Sequence, residues 1–266
     1  MDSRSVADLY DEPGMQWSLR SVGSHLHPGS EEATVALAAA AARSGLASGG
    51  RIVEIASALG APARFVARRF SCTVVCVDMD RRMHAAAAAA NRHEGMDRAV
   101  QPVLARAERL PFADDSCDGA WSQDALCHMD KELVLAEVVR VLKPGAVFAF
   151  TDFIARPSIT REDLDVLRQL WAFPSLLTIA GYVSALDTLG FEVLLAEDRT
   201  TSILGGRPRV RTDDELWWQF FRQRWGEEEA MARRKIGSTW QSLLERGRAG
   251  YGMFIARRPA LPSGAE

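Results

Sequence analysis

The residues best placed to do chemistry are two acids, each ending an apolar run. Arg51 to Ala56 reads RIVEIA and carries Glu54, and the small-residue turn Ser57-Ala58-Leu59-Gly60 follows it. Thr73 to Asp78 reads TVVCVD, and Asp78 comes 18 residues after Gly60. A strand, a tight turn and a helix start bring backbone N–H groups close to a ligand at the helix's positive end. An acid closing the second strand can accept hydrogen bonds from two ribose hydroxyls. The pair says more than either acid alone, with structural capping as the plainer reading of each. Farther along, His128 follows a fourth apolar run and Asp152 ends a fifth. Both are candidate general bases, because strand C-termini face the crevice of a parallel sheet and histidine titrates near neutrality. The plainer readings are a core or helix-capping histidine, and an aspartate bonded to a neighbouring insertion. His25 and His27 sit where an N-terminal segment could close over substrate. His84 and His93 read as helix-surface residues. Histidines and carboxylates are scattered without HExxH spacing, so no catalytic metal is expected.

The elements that must position these groups follow from hydrophobic patterning. Seven short runs read as buried strands: Arg51 to Ala56, Thr73 to Asp78, Ala99 to Leu104, Asp118 to Ser122, Ala146 to Phe153, Phe191 to Ala196 and Tyr251 to Ala256. Helical stretches alternate with the first five. Pro62 to Phe70 begins at a proline, Met79 to His93 closes near Gly95, and Lys131 to Leu142 has Asp130 as its cap and Pro144-Gly145 as its stop. This alternation predicts an α/β, Rossmann-like, seven-stranded and mostly parallel sheet with helices on both faces. The chain divides into an N-terminal helical cap (1–48), a core (49–199), a helical lid insertion (200–249), a last core strand (250–258) and a disordered tail (259–266). Six of the seven tryptophans, all but Trp121, lie outside the sheet. They predict either a lid over an apolar pocket or a helical cap packing its own aromatics.

The bulk properties exclude several classes. The chain has 266 residues, 47% hydrophobic and 25% charged, with a net charge of -3. That balance gives no general attraction to nucleic acid or an anionic membrane. No apolar run reaches the length of a membrane span, and the polar, acidic start is unlike a signal peptide. Cys72, Cys76, Cys117 and Cys127 form no disulfide or zinc pattern, which fits a reducing, cytoplasmic location. The 200–249 segment is rich in arginine, among them Arg207, Arg209, Arg211, Arg222, Arg234 and Arg248. These either capture an anionic substrate or simply solvate helix faces, the commoner case. The Trp217-Trp218 and Phe220-Phe221 cluster offers an interface patch for a homodimer.

Val53 to Gly60 resembles the first motif, acid-x-Gly-x-Gly-x-Gly, of class I S-adenosylmethionine (SAM)-dependent methyltransferases. Val77-Asp78-Met79-Asp80 resembles their second. Arg109-Leu110-Pro111-Phe112 with Asp114-Asp115-Ser116-Cys117-Asp118, the run Trp121 to His128, and Arg140-Val141-Leu142-Lys143-Pro144-Gly145 resemble the later ones, in order. The run WSQDAL is especially similar to sarcosine/dimethylglycine N-methyltransferases. His27-Pro28-Gly29 stands where the broader small-molecule group, which includes natural-product sugar O-methyltransferases, has an entry segment. The resemblance implies SAM as cofactor and S-adenosylhomocysteine as product. It assigns Glu54 to the SAM amino group, Asp78 to the ribose and Met79 to the adenine face. Ala56 and Gly60 fall to the cofactor loop, Ala107 to the adenine edge through its backbone, and Ser122 to the methionine end.

Three positions depart from the pattern. Ala56 and Ala58 replace the first two family glycines, and Arg106 replaces an acid that accepts from the adenine amino group. Alanine costs little there if φ is negative and there is room, and more if either condition fails. Arginine offers no acceptor, so Arg106 must turn outward or leave that contact unmade. The expected function is methyl transfer to a small, partly apolar metabolite through a nitrogen or oxygen acceptor, in biosynthetic or secondary metabolism. The departures leave two alternatives: a methyltransferase-like protein catalysing a non-methylating cyclisation or rearrangement, and a degenerate scaffold.

Overall fold

The computed structural model of the protein describes residues 30–46, 48–204 and 215–260. His25 and His27, Arg207, Arg209 and Arg211, and most of the expected tail lie outside them. The described elements are α1 (Ser30–Arg43), β1 (Arg51–Ile55), α2 (Ala61–Phe70), β2 (Thr73–Asp78), α3 (Arg81–His93), β3 (Val100–Leu104), β4 (Cys117–Gln123), α4 (Lys131–Val141) and β5 (Leu142–Ala155). They continue with α5 (Arg161–Trp171), α6 (Ile179–Thr188), β6 (Glu192–Asp198), α7 (Thr200–Leu204), α8 (Glu215–Trp225), α9 (Glu227–Glu245) and β7 (Ala249–Arg257).

Among the described residues seven strands form one sheet in the order β3-β2-β1-β4-β5-β7-β6. The first five pair in parallel, while β7 runs antiparallel between β5 and β6. The strand order reverses between β1 and β4, which opens a crevice beyond their C-terminal ends. Alternating side chains split the core into two layers. One face carries Val53, Ile55, Phe148 and Phe150 against α4 and α6. The other carries Ile52, Cys76, Trp121 and Ala149 against α1 and α2.

The caps are local chemistry. Asp80 ends the turn after β2 and accepts from Arg82 N, so α3 begins at Arg81 rather than Met79. Asp130 accepts from Glu132 N and Leu133 N at the head of α4. Two elements differ from expectation. Strand β5 begins at Leu142 and absorbs the Lys143-Pro144-Gly145 turn, because a register shift against β4 accommodates it and Gly145 N bonds Arg258 O at 2.8 Å. Helix α6 was not signalled by its sequence, where Gly181 and β-branched residues mask the period. Its Thr178 cap and the buried Tyr182 and Leu186 hold it.

Of the tryptophans outside the sheet, Trp171, Trp218 and Trp240 have described side chains, and these three pack against neighbouring residues. Trp240 of α9 meets Phe153 of β5 edge-on at 4.6 Å between centroids and lies 6.1 Å from Trp171. With Phe173, Leu243 and Tyr251 they form a third core beyond the ends of β5 and β7. Trp218 is buried, with the Arg234 guanidinium over its ring. It is therefore not part of an exposed patch, while the side chains of Trp217, Phe220 and Phe221 lie outside the described part.

Candidate functional site

The loop after β1 is built on left-handed backbone. Ala56 has φ 53°, Ala58 φ 45° and Gly60 φ 71°. Ser57 N bonds Val77 O at 3.0 Å and Gly60 N bonds Ser57 O at 2.8 Å, which ties the loop to the end of β2. Asp78 completes the tie: its Oδ2 accepts from Ala58 N at 2.8 Å and its Oδ1 from Asp80 N at 2.9 Å. The two alanines thus occupy a conformation that glycine adopts freely, and the negative-φ condition for their tolerance does not hold. Gly60 heads α2 without a side-chain cap, and Arg64 N bonds its carbonyl at 3.0 Å.

Arg64 supports the loop from behind. It is 3% exposed and donates to Leu59 O at 2.9 Å and Asn91 Oδ1 at 3.1 Å, and its Nε pairs with Glu94 at 2.8 Å. A Cβ on Gly60 would stand 3.2 Å from the Arg64 Nη1. Nothing in the helical run Pro62 to Phe70 distinguishes this arginine from the exposed Arg68 and Arg69 beside it.

Glu54 is 2% exposed and its Oε2 has no hydrogen-bond partner. Burial pushes its carboxyl up to about 8, against the opposing pull of Arg64. Burial also raises Asp78, opposed by the N–H groups of Asp80 and Ala58. Met79, just past β2, is 49% exposed, so it is not a core residue. Ala107 is buried, and Arg106 turns outward to an ion pair with Glu108 at 3.2 Å. A buried acid with one unpartnered oxygen and an exposed thioether, set beside a tight left-handed turn at the switch point, are fittings that suit a cationic, nucleoside-bearing ligand.

Strand register moves one expected residue. Ile55 pairs with Ser122 and Glu54 with Trp121, so Ser122 shares the face of Ile55. Ser122 is wholly buried, 3.4 Å from Ile55 O, on the opposite face from Glu54. Gln123 takes the Glu54 face instead. Period-two alternation makes one residue the difference between the two sides of a sheet.

His128 closes a short 3-10 turn, Leu126–His128. Its Nδ1 is 3.3 Å from Ala172 O, and its ring meets Phe173 edge-on at 4.9 Å. A carbonyl only accepts, so Nδ1 carries the proton and Nε2 the lone pair. Burial lowers its pKa to about 4, so it is neutral at pH 7. Asp152 is wholly buried with both oxygens engaged: Oδ1 accepts from Cys127 N at 3.1 Å, and Oδ2 from the Tyr182 hydroxyl. It grips the turn that carries His128 and has no oxygen turned to solvent. Tyr182 went unmarked in the sequence because α6 did. Among the described arginines of the insertion, Arg222 pairs with Glu215 at 2.5 Å and Arg248 with Asp163 at 2.8 Å. Among the described residues no cluster of three or more His, Cys, Asp or Glu is placed to hold a metal, and no helix is long and apolar enough to cross a membrane.

Residues 53–150 match the family model described as a methyltransferase domain. The glycine/sarcosine/dimethylglycine N-methyltransferase of Actinopolyspora halophila is 31% identical over 149 residues, 56% of this chain and 26% of that one. The sarcosine/dimethylglycine N-methyltransferase of Halorhodospira halochloris is 29% identical over 163 residues, 61% of this chain and 58% of that one. The aligned parts therefore span about a quarter and somewhat over half of those two relatives. A solved structure from Galdieria sulphuraria, assigned as a sarcosine dimethylglycine methyltransferase, superposes with a TM-score of 0.85 at 20% identity, covering 93% of this chain and 97% of that one. At that identity the likeness establishes the fold.

Proposed function

We propose that this chain, which carries a class I SAM-dependent methyltransferase domain, binds SAM and catalyses transfer of its methyl group to a small, partly apolar metabolite through a nitrogen or oxygen acceptor. The observation that carries the reading is Glu54: a buried acid with an unpartnered oxygen, at the strand-order reversal, beside a loop of left-handed residues. Bound SAM supplies a methyl group on a sulfonium, so the protein's task is positioning and exclusion of water.

In this reading Glu54 holds the amino group, and the tight turn Ala56 to Gly60, tied to the end of β2, lets the cofactor approach the backbone closely. Asp78 serves twice, gripping Ala58 N while its remaining lone pairs face the ribose hydroxyls. Met79 lies against the adenine, and the backbone of Ala107 meets its edge. His128 is the candidate base, since its tautomer leaves Nε2 free to accept a proton. Its lowered pKa makes it a weak base, which suits an amine acceptor that reaches the site already neutral. Asp152 acts through the turn that it holds, as a positioning residue. The buried, unpaired cysteines fit a cytoplasmic setting, and biosynthetic or secondary metabolism is the proposed context.

The test is calorimetric titration with SAM and S-adenosylhomocysteine, followed by methyl release from labelled SAM over a panel of amines and hydroxyls. Micromolar binding, lost in Glu54→Ala, together with turnover on one acceptor class is the expected result. A folded protein that binds neither ligand would overturn the reading. Tight SAM binding without S-adenosylhomocysteine formation on any acceptor would favour the non-methylating alternative.

A further inference from the structure

Two buried atoms without partners stand on one face of neighbouring strands: Glu54 Oε2 on β1 and Gln123 Nε2 on β4. Glu54 pairs with Trp121, so Gln123 lies two residues farther along β4 on the same face, nearer the crevice. Gln123 is 9% exposed. Its amide orientation is fixed by its neighbours. Trp121 Nε1, which can only donate, bonds Oε1 at 3.0 Å. Thr34 Oγ1 of α1 bonds the same oxygen at 3.1 Å. Nε2 is therefore a held donor with no acceptor, as Glu54 Oε2 is a held acceptor with no donor.

Buried polar groups are rarely left unpaired without a functional reason. An ammonium alone would satisfy Glu54 and leave Gln123 wanting. A carboxylate alone would do the reverse and face the carboxyl of Glu54. The ligand feature that answers both is one short unit bearing an ammonium and a carboxylate, an α-amino acid. We propose that Gln123 is the carboxylate-recognising residue of the site, its Nε2 donating to the α-carboxylate of the cofactor's methionyl end while Glu54 takes the α-ammonium. The inference rests on the SAM reading above and adds a specificity to it: the site selects for the intact amino-acid end. Thr34 and Trp121 are then positioning residues, and α1 is part of the cofactor site rather than a cover.

The test compares two probes, S-adenosylhomocysteine and its decarboxylated counterpart S-adenosyl-3-thiopropylamine, by calorimetry on the full chain. Gln123→Leu should weaken S-adenosylhomocysteine about 10- to 100-fold, as loss of a hydrogen bond to a charged group does. It should leave the decarboxylated probe within about twofold. Gln123→Glu, nearly the same shape, should weaken the first probe at least as much and leave the second unchanged or tighter. Circular dichroism of each variant establishes that it folds. Equal losses for both probes would mean that Gln123 only shapes the pocket and would overturn the proposal. Unaltered S-adenosylhomocysteine binding in both variants would overturn it too, with the SAM reading intact. A wild-type protein that binds neither probe would remove the SAM reading itself.

Discussion

Replacing Ala56 and Ala58 by glycine should stabilise the protein, contrary to the usual effect of adding glycine to a chain. Both alanines sit at positive φ, 53° and 45°. A residue with a Cβ pays about 1–2 kcal/mol for that conformation. Glycine adopts it freely but raises the entropy of the unfolded chain, which offsets about 0.4–1 kcal/mol. The balance is a gain of roughly 0.8 kcal/mol per site, taking the middle of each range. The two sites share one loop, so the double variant should gain about 0.5–2 kcal/mol rather than a strict sum. For a chain of this size that raises Tm by about 1–8 °C, at about 2–4 °C per kcal/mol. Urea and thermal unfolding followed by circular dichroism measure it. Gly60→Ala is the opposite control. Gly60 has φ 71°, and its new Cβ would press on an Arg64 guanidinium fixed by Leu59, Asn91 and Glu94. It should lose more than about 1 kcal/mol. If both glycine variants were instead less stable by the full entropic amount, about 0.4–1 kcal/mol each, the left-handed strain would not exist and the reasoning would fail.

Other consequences follow from the same geometry. The Glu54 carboxyl is raised to about 8 from 4.5, so its stabilising contribution is complete below pH 4.5 and is lost as pH rises through 8. A ligand ammonium that ionises it should release about 0.9 proton at pH 7 and bind about tenfold tighter per unit up to pH 8. Calorimetry in buffers of different ionisation heat reads this, and Glu54→Gln should abolish the release. Tyr182→Phe deprives the buried Asp152 of one of its two donors and should cost about 2–3 kcal/mol in urea unfolding. A loss near zero would mean the hydroxyl contact is not made. Trp240→Ala opens the aromatic cluster at the end of β5 and should cost about 3–5 kcal/mol in unfolding, with S-adenosylhomocysteine binding retained. Loss of that binding in a folded Trp240 variant would show that the cap supports the cofactor crevice directly.

Much of the scaffold was legible because its signals are local. The runs RIVEIA and TVVCVD, the proline at the head of α2 and Asp130 as the cap of α4 each act within a few residues. Alternation of these strands with helices is enough to order a mostly parallel sheet. The acids at the ends of β1 and β2 were visible for the same reason: position in a strand–turn–helix unit is written in sequence order.

What the chain by itself determined, then, is the type of each element and the acids at the strand ends, since backbone propensity and short-range capping depend on near neighbours. Only the tertiary structure decided the rest. Strand register, set by packing of whole faces, turned Ser122 away from Glu54 and brought Gln123 beside it. Contacts between residues far apart in sequence buried Arg64 under the cofactor loop, closed both oxygens of Asp152 with Cys127 and Tyr182, and fixed the Gln123 amide through Thr34, 89 positions away. The sign of φ at Ala56 and Ala58 was decided there too. It is imposed by hydrogen bonds from the loop to the end of β2, and a residue's identity states a preference for φ, not the value the fold requires.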